Sequence, residues 1–244
     1  MTATPAGMTY ADYLQLPQLL TAQQPLSSLH DEMLFIVIHQ TKELWLKQML
    51  HEVDLAVSLV GHERFAEAYK ALARVSRIQS VMTLSWDVLA TLTPVDYSRF
   101  RDVLGTSSGF QSAQFRELEF RLGVRHASFL DHYPEGGDEH RRQSAALAEP
   151  SLWEVADAAR QRAGAPDWVA VYRDSERWFE LYQLAEKLVD IDDALAGWRH
   201  KHVLTVERII GGKTGTGGSA GVAYLQSTLT KRAFPELWAV RTRL

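Results

Sequence analysis

The chain has no cysteine in 244 residues. That excludes a disulfide framework, a thiolate nucleophile, an all-cysteine iron-sulfur cluster and thiolate-ligated haem, so any metal would be held by histidine or carboxylate. Positive charge is not in excess either. The formal charge of -4 gives no electrostatic footprint for nucleic acid, and no polybasic block accompanies an apolar segment that could lie on a membrane. Long apolar runs are missing as well. The longest, Met33 to Ile38, is far below the roughly 20 residues a bilayer-spanning helix needs. The opening MTATPAGMTY lacks a charged-then-apolar leader pattern, so a cytoplasmic location is expected. There is no internal repeat and no low-complexity tract.

What is present suits a folded protein: 46% apolar and 23% charged residues exclude disorder throughout and allow a sizeable core. No segment reads convincingly as a strand. Leu29 to Val60 runs without proline or glycine, opened by Ser28-Leu29-His30-Asp31 in capping-box form, and reads as one long helix. His62 to Leu92 reads as a second, with apolar residues from Phe65 to Leu89 at three and four residue steps before Thr93-Pro94. Shorter helices are expected over Asp96–Leu104 and Phe110–Leu122, with a turn at Gly105–Gly109. Ala127 to Pro166 should cross the surface, with a helix at about Leu152–Ala163, and Ser175–Ile210 should form another long helix. Tyr10 to Leu16 suits a short amphipathic helix stopped by Pro17. Alone it is too short to be stable, so it must dock on something. The expectation is an all-α bundle of long antiparallel helices, one domain over residues 1–244. Residues 1–25 would form an arm, hinged at Thr21 to Pro25, that docks on a neighbouring subunit.

The stretch with the densest chemistry is Gly197 to Gly221, GWRHKHVLTVERIIGGKTGTGGSAG, where two histidines precede a run of six of the chain's 15 glycines. Glycine carries backbone through positive φ or very close to a ligand, at a cost in folding entropy. Two phosphate loops nearly fit this run and both fail. Gly212-Lys213-Thr214 lacks the earlier P-loop glycine, where Glu207 stands, and Gly215, Gly217 and Ala220 lack the βαβ context of a dinucleotide site. A plain surface loop stays open as an alternative.

Of the nine histidines, His30, His51, His62, His126, His132, His140 and His200 have polar or turn-like neighbours and are expected to be solvated. His39 follows the apolar run on a helix expected to be buried nearly all round, where a hydrogen-bonded core histidine is the ordinary explanation. His202 lies about two and a half turns before the glycine-rich run. Neither Glu-x-x-His nor His-Glu-x-x-His occurs, which argues against dinuclear carboxylate and zincin chemistry. One buried histidine on each of two helices suits a flat cofactor that brings its own ligands, as haem does.

Three stretches carry a resemblance: LSSLHDEMLFIVIHQTKELWLKQ (Leu26 to Gln48), LTPVDYSRFRDVLGTSSGFQSAQFRELEF (Leu92 to Phe120) and WRHKHVLTVERIIGGKTGTGGSAGVAYL (Trp198 to Leu225). With YADYLQL near the start and FPELWAVRTRL at the end, they resemble the tryptophan 2,3-dioxygenases over most of the chain and in the right order. The resemblance implies a homotetrameric all-α enzyme with one haem b per subunit, which inserts both atoms of O2 across the indole 2,3 bond of L-tryptophan. N-formylkynurenine would be the product, the first step of tryptophan breakdown. Carried over position by position, it makes His202 the proximal iron ligand and His39 the distal catalytic residue near the indole NH, as a base or only to position substrate. Arg101 would hold the substrate carboxylate and Thr216 the ammonium and carboxylate. Phe35 and Tyr97 would wall the indole pocket, with Trp86, Gly215 and Gly217 near the haem and the flanking glycines letting the loop close. Tyr10, Tyr13 and Leu14 would reach into a neighbouring subunit's site.

The chain departs from the family pattern at Lys42 and Leu46, where some members have aromatic residues, and at Ala220, where serine is expected. Lys42 is read as solvent-exposed, and Ala220 as loosening a hydrogen bond in the loop. Rival readings are a relative of the same haem superfamily that takes a substituted indole or inserts one oxygen, a haem sensor without turnover, and a structural helical oligomer.

Overall fold

A computed structural model describes residues 7–244. Residues 1–6 of the expected arm lie outside the described residues. The elements are α1 (Tyr10–Leu14), α2 (Leu16–Leu19), α3 (His30–Gly61), α4 (Phe65–Leu89), α5 (Pro94–Phe100), α6 (Ala113–Leu122), α7 (Asp138–Ala148), α8 (Leu152–Arg162), α9 (Trp168–Arg173), α10 (Phe179–Ile210), α11 (Val222–Ser227) and α12 (Pro235–Arg243). Short 3-10 turns span Arg101–Leu104, Gly109–Gln111 and Ala127–His132. No strand occurs among the described residues, and the fold is all-α. No helix among them is long and apolar enough to cross a membrane.

The long helices form as their apolar spacing dictates. On α3, Ile38, Leu46, Met49, Leu50, Val53, Ala56 and Val60 are buried, and on α4, Ala68, Leu72, Val75, Ile78, Met82 and Trp86 are. Each set follows the helical period, so each helix presents one apolar face. α4 packs against both α3 and α10, and α6 and α8 pack on α3. Burying each large aliphatic side chain contributes about 1.5–3 kcal/mol, which is why packing decides these helices over propensity. Two buried polar sets tie the remaining pieces to this frame. Arg199 of α10 donates to Glu119 of α6 at 3.0 Å, and Arg116 pairs with the other oxygen of the same carboxylate. Asp192 of α10 accepts from Ala233 N, Phe234 N and Trp238 Nε1, which anchors the start of α12.

Several boundaries differ from the sequence reading. α3 is not opened by a capping box: Leu29 takes the N-cap position without a side-chain bond, and Glu32 accepts from Leu26 N and Ser27 N at 2.7 Å each. The carboxylate in the first turn therefore orders the preceding backbone, as the positive end of a helix favours. Pro17 does not stop a helix but sits in the first turn of α2, where a missing N–H costs nothing. α4 begins at Phe65 because Glu63 turns through φ 59°. Gly197 does not interrupt α10, whose neighbouring turns are held by tertiary packing. Helices α7, α9, α11 and α12 go beyond the expected pattern. Each is short, and α7 has only Gln143 and Ala146 buried, too few to produce a visible stripe.

Candidate active site

Four segments converge at one end of the bundle: the first turns of α3, the last turns of α4, α5 with its following 3-10 turn, and the end of α10 with the glycine-rich loop. A second core cluster marks the place, formed by Ile38, Trp86, Leu89, Leu92, Tyr97, Phe100 and Ile209 with Phe35 and Trp198 against it. Phe35 and His39 are one turn apart on α3 and their rings lie 4.2 Å apart. Tyr97 and Phe100 of α5 stand 5.9 and 5.8 Å from Phe35. The result is an aromatic enclosure around one imidazole.

His39 Nδ1 donates to the Phe35 carbonyl oxygen at 2.7 Å. That bond fixes the tautomer with the proton on Nδ1 and leaves Nε2 as an acceptor. Loss of water around the ring holds its pKa below the ordinary histidine value, despite the carbonyl bond, and the Lys42 charge acts in the same direction. The imidazole is neutral at neutral pH.

His202 faces the same region from α10. Its ring stacks on Trp86 at 4.3 Å with 9° between planes, and Trp198 lies 5.3 Å from it. Desolvation, with smaller contributions from Lys42 and His39, pushes its pKa down to about 3. Both histidines thus present unprotonated nitrogen in one electrostatic environment, and a neutral imidazole is the form that binds iron. Among the described residues no group of three or more His, Cys, Asp or Glu side chains is placed to hold a bare metal ion.

The glycine-rich loop lies over the turn that follows α5. The Arg101 guanidinium donates to the Thr214 carbonyl oxygen, and Thr216 Oγ1 donates to the Ser107 carbonyl oxygen at 2.5 Å. Glycine is required where the two sides of this fold-back touch. A Cβ on Gly217 would stand 2.6 Å from Ser108 Cβ, and Gly221 has φ 61° with the Lys213 carbonyl oxygen directly where a Cβ would project. Gly215 closes the turn, its N–H donating to the Ser219 carbonyl oxygen at 3.1 Å.

Phe35, His39, Trp86, Tyr97, Arg101, His202, Gly215, Thr216 and Gly217 are therefore all at this end of the molecule. Tyr10, Tyr13 and Leu14 are not brought to it within the chain: they are 75%, 74% and 39% exposed. Lys42 overturns its reading as solvent-exposed. It is 6% exposed, and its Nζ lies 2.8 Å from the centre of the Trp86 ring. Phe100, Trp198, Ser107 and Ser108 belong to the same surroundings and are not singled out by the sequence. Phe100 lies three residues after Tyr97, so a helical period there is the one available signal. The serines carry none, because they contribute through backbone oxygen and small size.

The family model described as tryptophan 2,3-dioxygenase matches residues 1–164 and 157–244. A tryptophan 2,3-dioxygenase of Caulobacter vibrioides is 60% identical over 97% of this chain and 98% of its own length. Those of a Bacillus cereus strain and a Bradyrhizobium species are 49% and 48% identical over 98% and 97% of this chain, each over 93% of its own length. An end-to-end match at this identity, on a chain whose two neutral histidines face one region, establishes that it belongs to the tryptophan 2,3-dioxygenase family.

Proposed function

We infer that this chain catalyses the insertion of O2 across the indole 2,3 bond of L-tryptophan to give N-formylkynurenine, using one haem b per subunit. The observation that carries the reading is the pair of neutral imidazoles, His39 and His202, one inside an aromatic enclosure and the other stacked on Trp86. The polypeptide suits a porphyrin. His202 is a single nitrogen donor with no carboxylate partners for a bare ion, and around it Trp86 Nε1, Trp198 Nε1 and Lys42 Nζ are buried without a hydrogen-bond partner. Bound haem supplies the iron at which O2 is activated, held by His202.

The remaining work falls to the chain. Phe35 and Tyr97 bury the indole and exclude water. His39 Nε2, the acceptor left free by the Nδ1 bond to Phe35, takes the indole N–H as a hydrogen bond and positions C2 and C3 without having to remove the proton. Arg101 binds the substrate carboxylate through two parallel hydrogen bonds, and Thr216 binds ammonium and carboxylate. Because Arg101 already holds the Thr214 carbonyl, carboxylate binding and closure of the loop over the substrate act on the same side chain.

The assembly is a homotetramer, with residues 1–25 as an arm on a single domain and Tyr10, Tyr13 and Leu14 entering a neighbour's site. Their exposure supports this, as does the outer face of α4, where Val81, Leu84 and Val88 are 47%, 66% and 47% exposed at three and four residue steps. The location is cytoplasmic. The test is to reduce haem-loaded protein without air, add L-tryptophan, admit labelled O2 and weigh the product. Two labelled oxygens in N-formylkynurenine support the reading. One label points to a monooxygenase, and a haem spectrum without product points to a sensor.

A further inference from the structure

Lys42 stands against Trp86, beside the His202 ring, with no anion in the chain paired to it. It is 6% exposed, its Nζ has no hydrogen-bond partner, and burial pushes its pKa down to about 6. The carboxylates that follow Lys42 on α3 and Trp86 on α4 are engaged elsewhere. Glu43 accepts from Ser112 Oγ and Gln114 Nε2, both at 2.7 Å. Glu52 accepts from Gln48 Nε2 at 2.8 Å and pairs with Arg74 at 2.5 Å. Asp87, beside Trp86 on α4, pairs with Lys201 at 2.5 Å. A lysine shut away from water without an anion gives up its proton, and a buried amine left without any hydrogen-bond partner indicates an acceptor that the polypeptide does not supply.

Position narrows what that acceptor is. Lys42 Nζ lies on the face of Trp86, and Trp86 stacks on His202, so a single ring links the amine to the imidazole proposed to hold the iron. The indole enclosure of Phe35, Tyr97 and Phe100 surrounds His39 instead, and Arg101 is the cation beside the loop there. A porphyrin of the haem b type carries two carboxylates at its edge. A lysine ammonium on its flexible four-carbon stem is a point-charge donor that would suit such a carboxylate.

We propose that Lys42 is a cofactor-binding residue of this chain, whose ammonium pairs with a carboxylate of the haem. The inference rests on the haem reading above. Lys42→Met and Lys42→Arg are compared with the wild type after reconstitution with iron protoporphyrin IX or with its dimethyl ester, which has no carboxylate. The readout is the rate of haem loss to an excess of apomyoglobin, with far-UV circular dichroism as the check on folding. Methionine fills the lysine stem's volume without a buried charge, so the variant keeps its fold.

The expected result is loss of haem roughly 10- to 100-fold faster from Lys42→Met, the range of a charge-assisted hydrogen bond, with Lys42→Arg close to wild type. With the diester, wild type and Lys42→Met should lose the cofactor at the same rate. Equal rates with the free acid overturn the proposal while leaving the haem reading intact. An equal penalty with both porphyrins also overturns it, since the lysine would then act through packing. A change confined to azide affinity of the ferric protein overturns it in favour of a contact with the ligand on iron. A wild-type protein that takes up neither porphyrin overturns both readings.

Discussion

Trp86 and His202 are stacked face to face, 4.3 Å between centroids and 9° from parallel, although they belong to different helices. The contact fixes the plane of the imidazole through α4, and Trp198 borders it one turn earlier on α10. His202→Ala should therefore abolish haem retention while the helices stay folded, since it removes the nitrogen and not the frame. Absorbance of the purified variant reads this directly, and free imidazole should restore part of the haem spectrum. Full haem content without imidazole would remove His202 from the role of ligand.

Arg101 gives a prediction of the opposite kind. Arg101→Ala should leave the haem spectrum unchanged and weaken L-tryptophan binding by about 2 to 5 kcal/mol, the loss of a charge-assisted pair in a dry site. Arg101→Lys should recover only a small part, because an ammonium cannot reproduce two parallel bonds while also reaching the Thr214 carbonyl. Spectral titration of the variants with tryptophan measures both effects.

The long helices are legible from spacing because each buries a continuous stripe, and His39 and His202 stand out as the only histidines with apolar surroundings on such helices. Lys42 misleads for a physical reason. Its period on α3, four residues from both Ile38 and Leu46, places it within the buried face, and only its charge argued for exposure. Ser107 and Ser108 are invisible for another reason, since what they offer the loop is a carbonyl oxygen and a lack of bulk. Neither property leaves a mark on residue type.

The loop itself is tested by Gly217. The 2.6 Å approach of a new Cβ to Ser108 Cβ obliges the backbone to move in Gly217→Ala. A displacement of about 1 Å at a positioning loop raises KM for tryptophan roughly 10- to 100-fold. Adding Ser108→Gly removes the atom in the way and should recover part of the loss in a steady-state comparison. If Gly217→Ala has the wild-type KM, Thr216 is not held by this packing.

The protonation of His39 sets a pH dependence. Desolvation lowers its pKa from the ordinary 6.5, so the neutral acceptor persists from alkaline pH down through 6.5 and is lost only below it. KM for tryptophan should be flat above pH 6.5 and rise on the acid side, and His39→Ala should remove that rise. The sign for stability is the same. The unfolded chain takes up a proton at about 6.5 that the folded site refuses, so the contribution of this residue to stability falls as pH drops below that value. A KM that climbs as pH falls from about 8 to about 7 would show that the acceptor titrates in its ordinary range or above.

Asp192 separates stability from chemistry. Its carboxylate accepts from Ala233 N at 3.0 Å, Phe234 N at 3.2 Å and Trp238 Nε1 at 2.9 Å, all at the start of α12 and away from the aromatic enclosure. Asp192→Ala leaves three donors without a partner under a side chain that is 0% exposed. At about 1 to 3 kcal/mol for each unmade bond, and with the non-additivity of neighbours, the cost is about 3 to 5 kcal/mol. For a chain of this size that lowers Tm by roughly 10 °C. Asp192→Asn keeps one oxygen to accept the backbone N–H groups but turns an amide toward the third donor, so it should fall between the two. Thermal denaturation orders the three proteins, and tryptophan affinity at a temperature where all are folded should be the same in each. A shift in affinity that tracks the loss of Tm would mean that α12 supports the site through α10, along which Asp192 and His202 are less than about three turns apart.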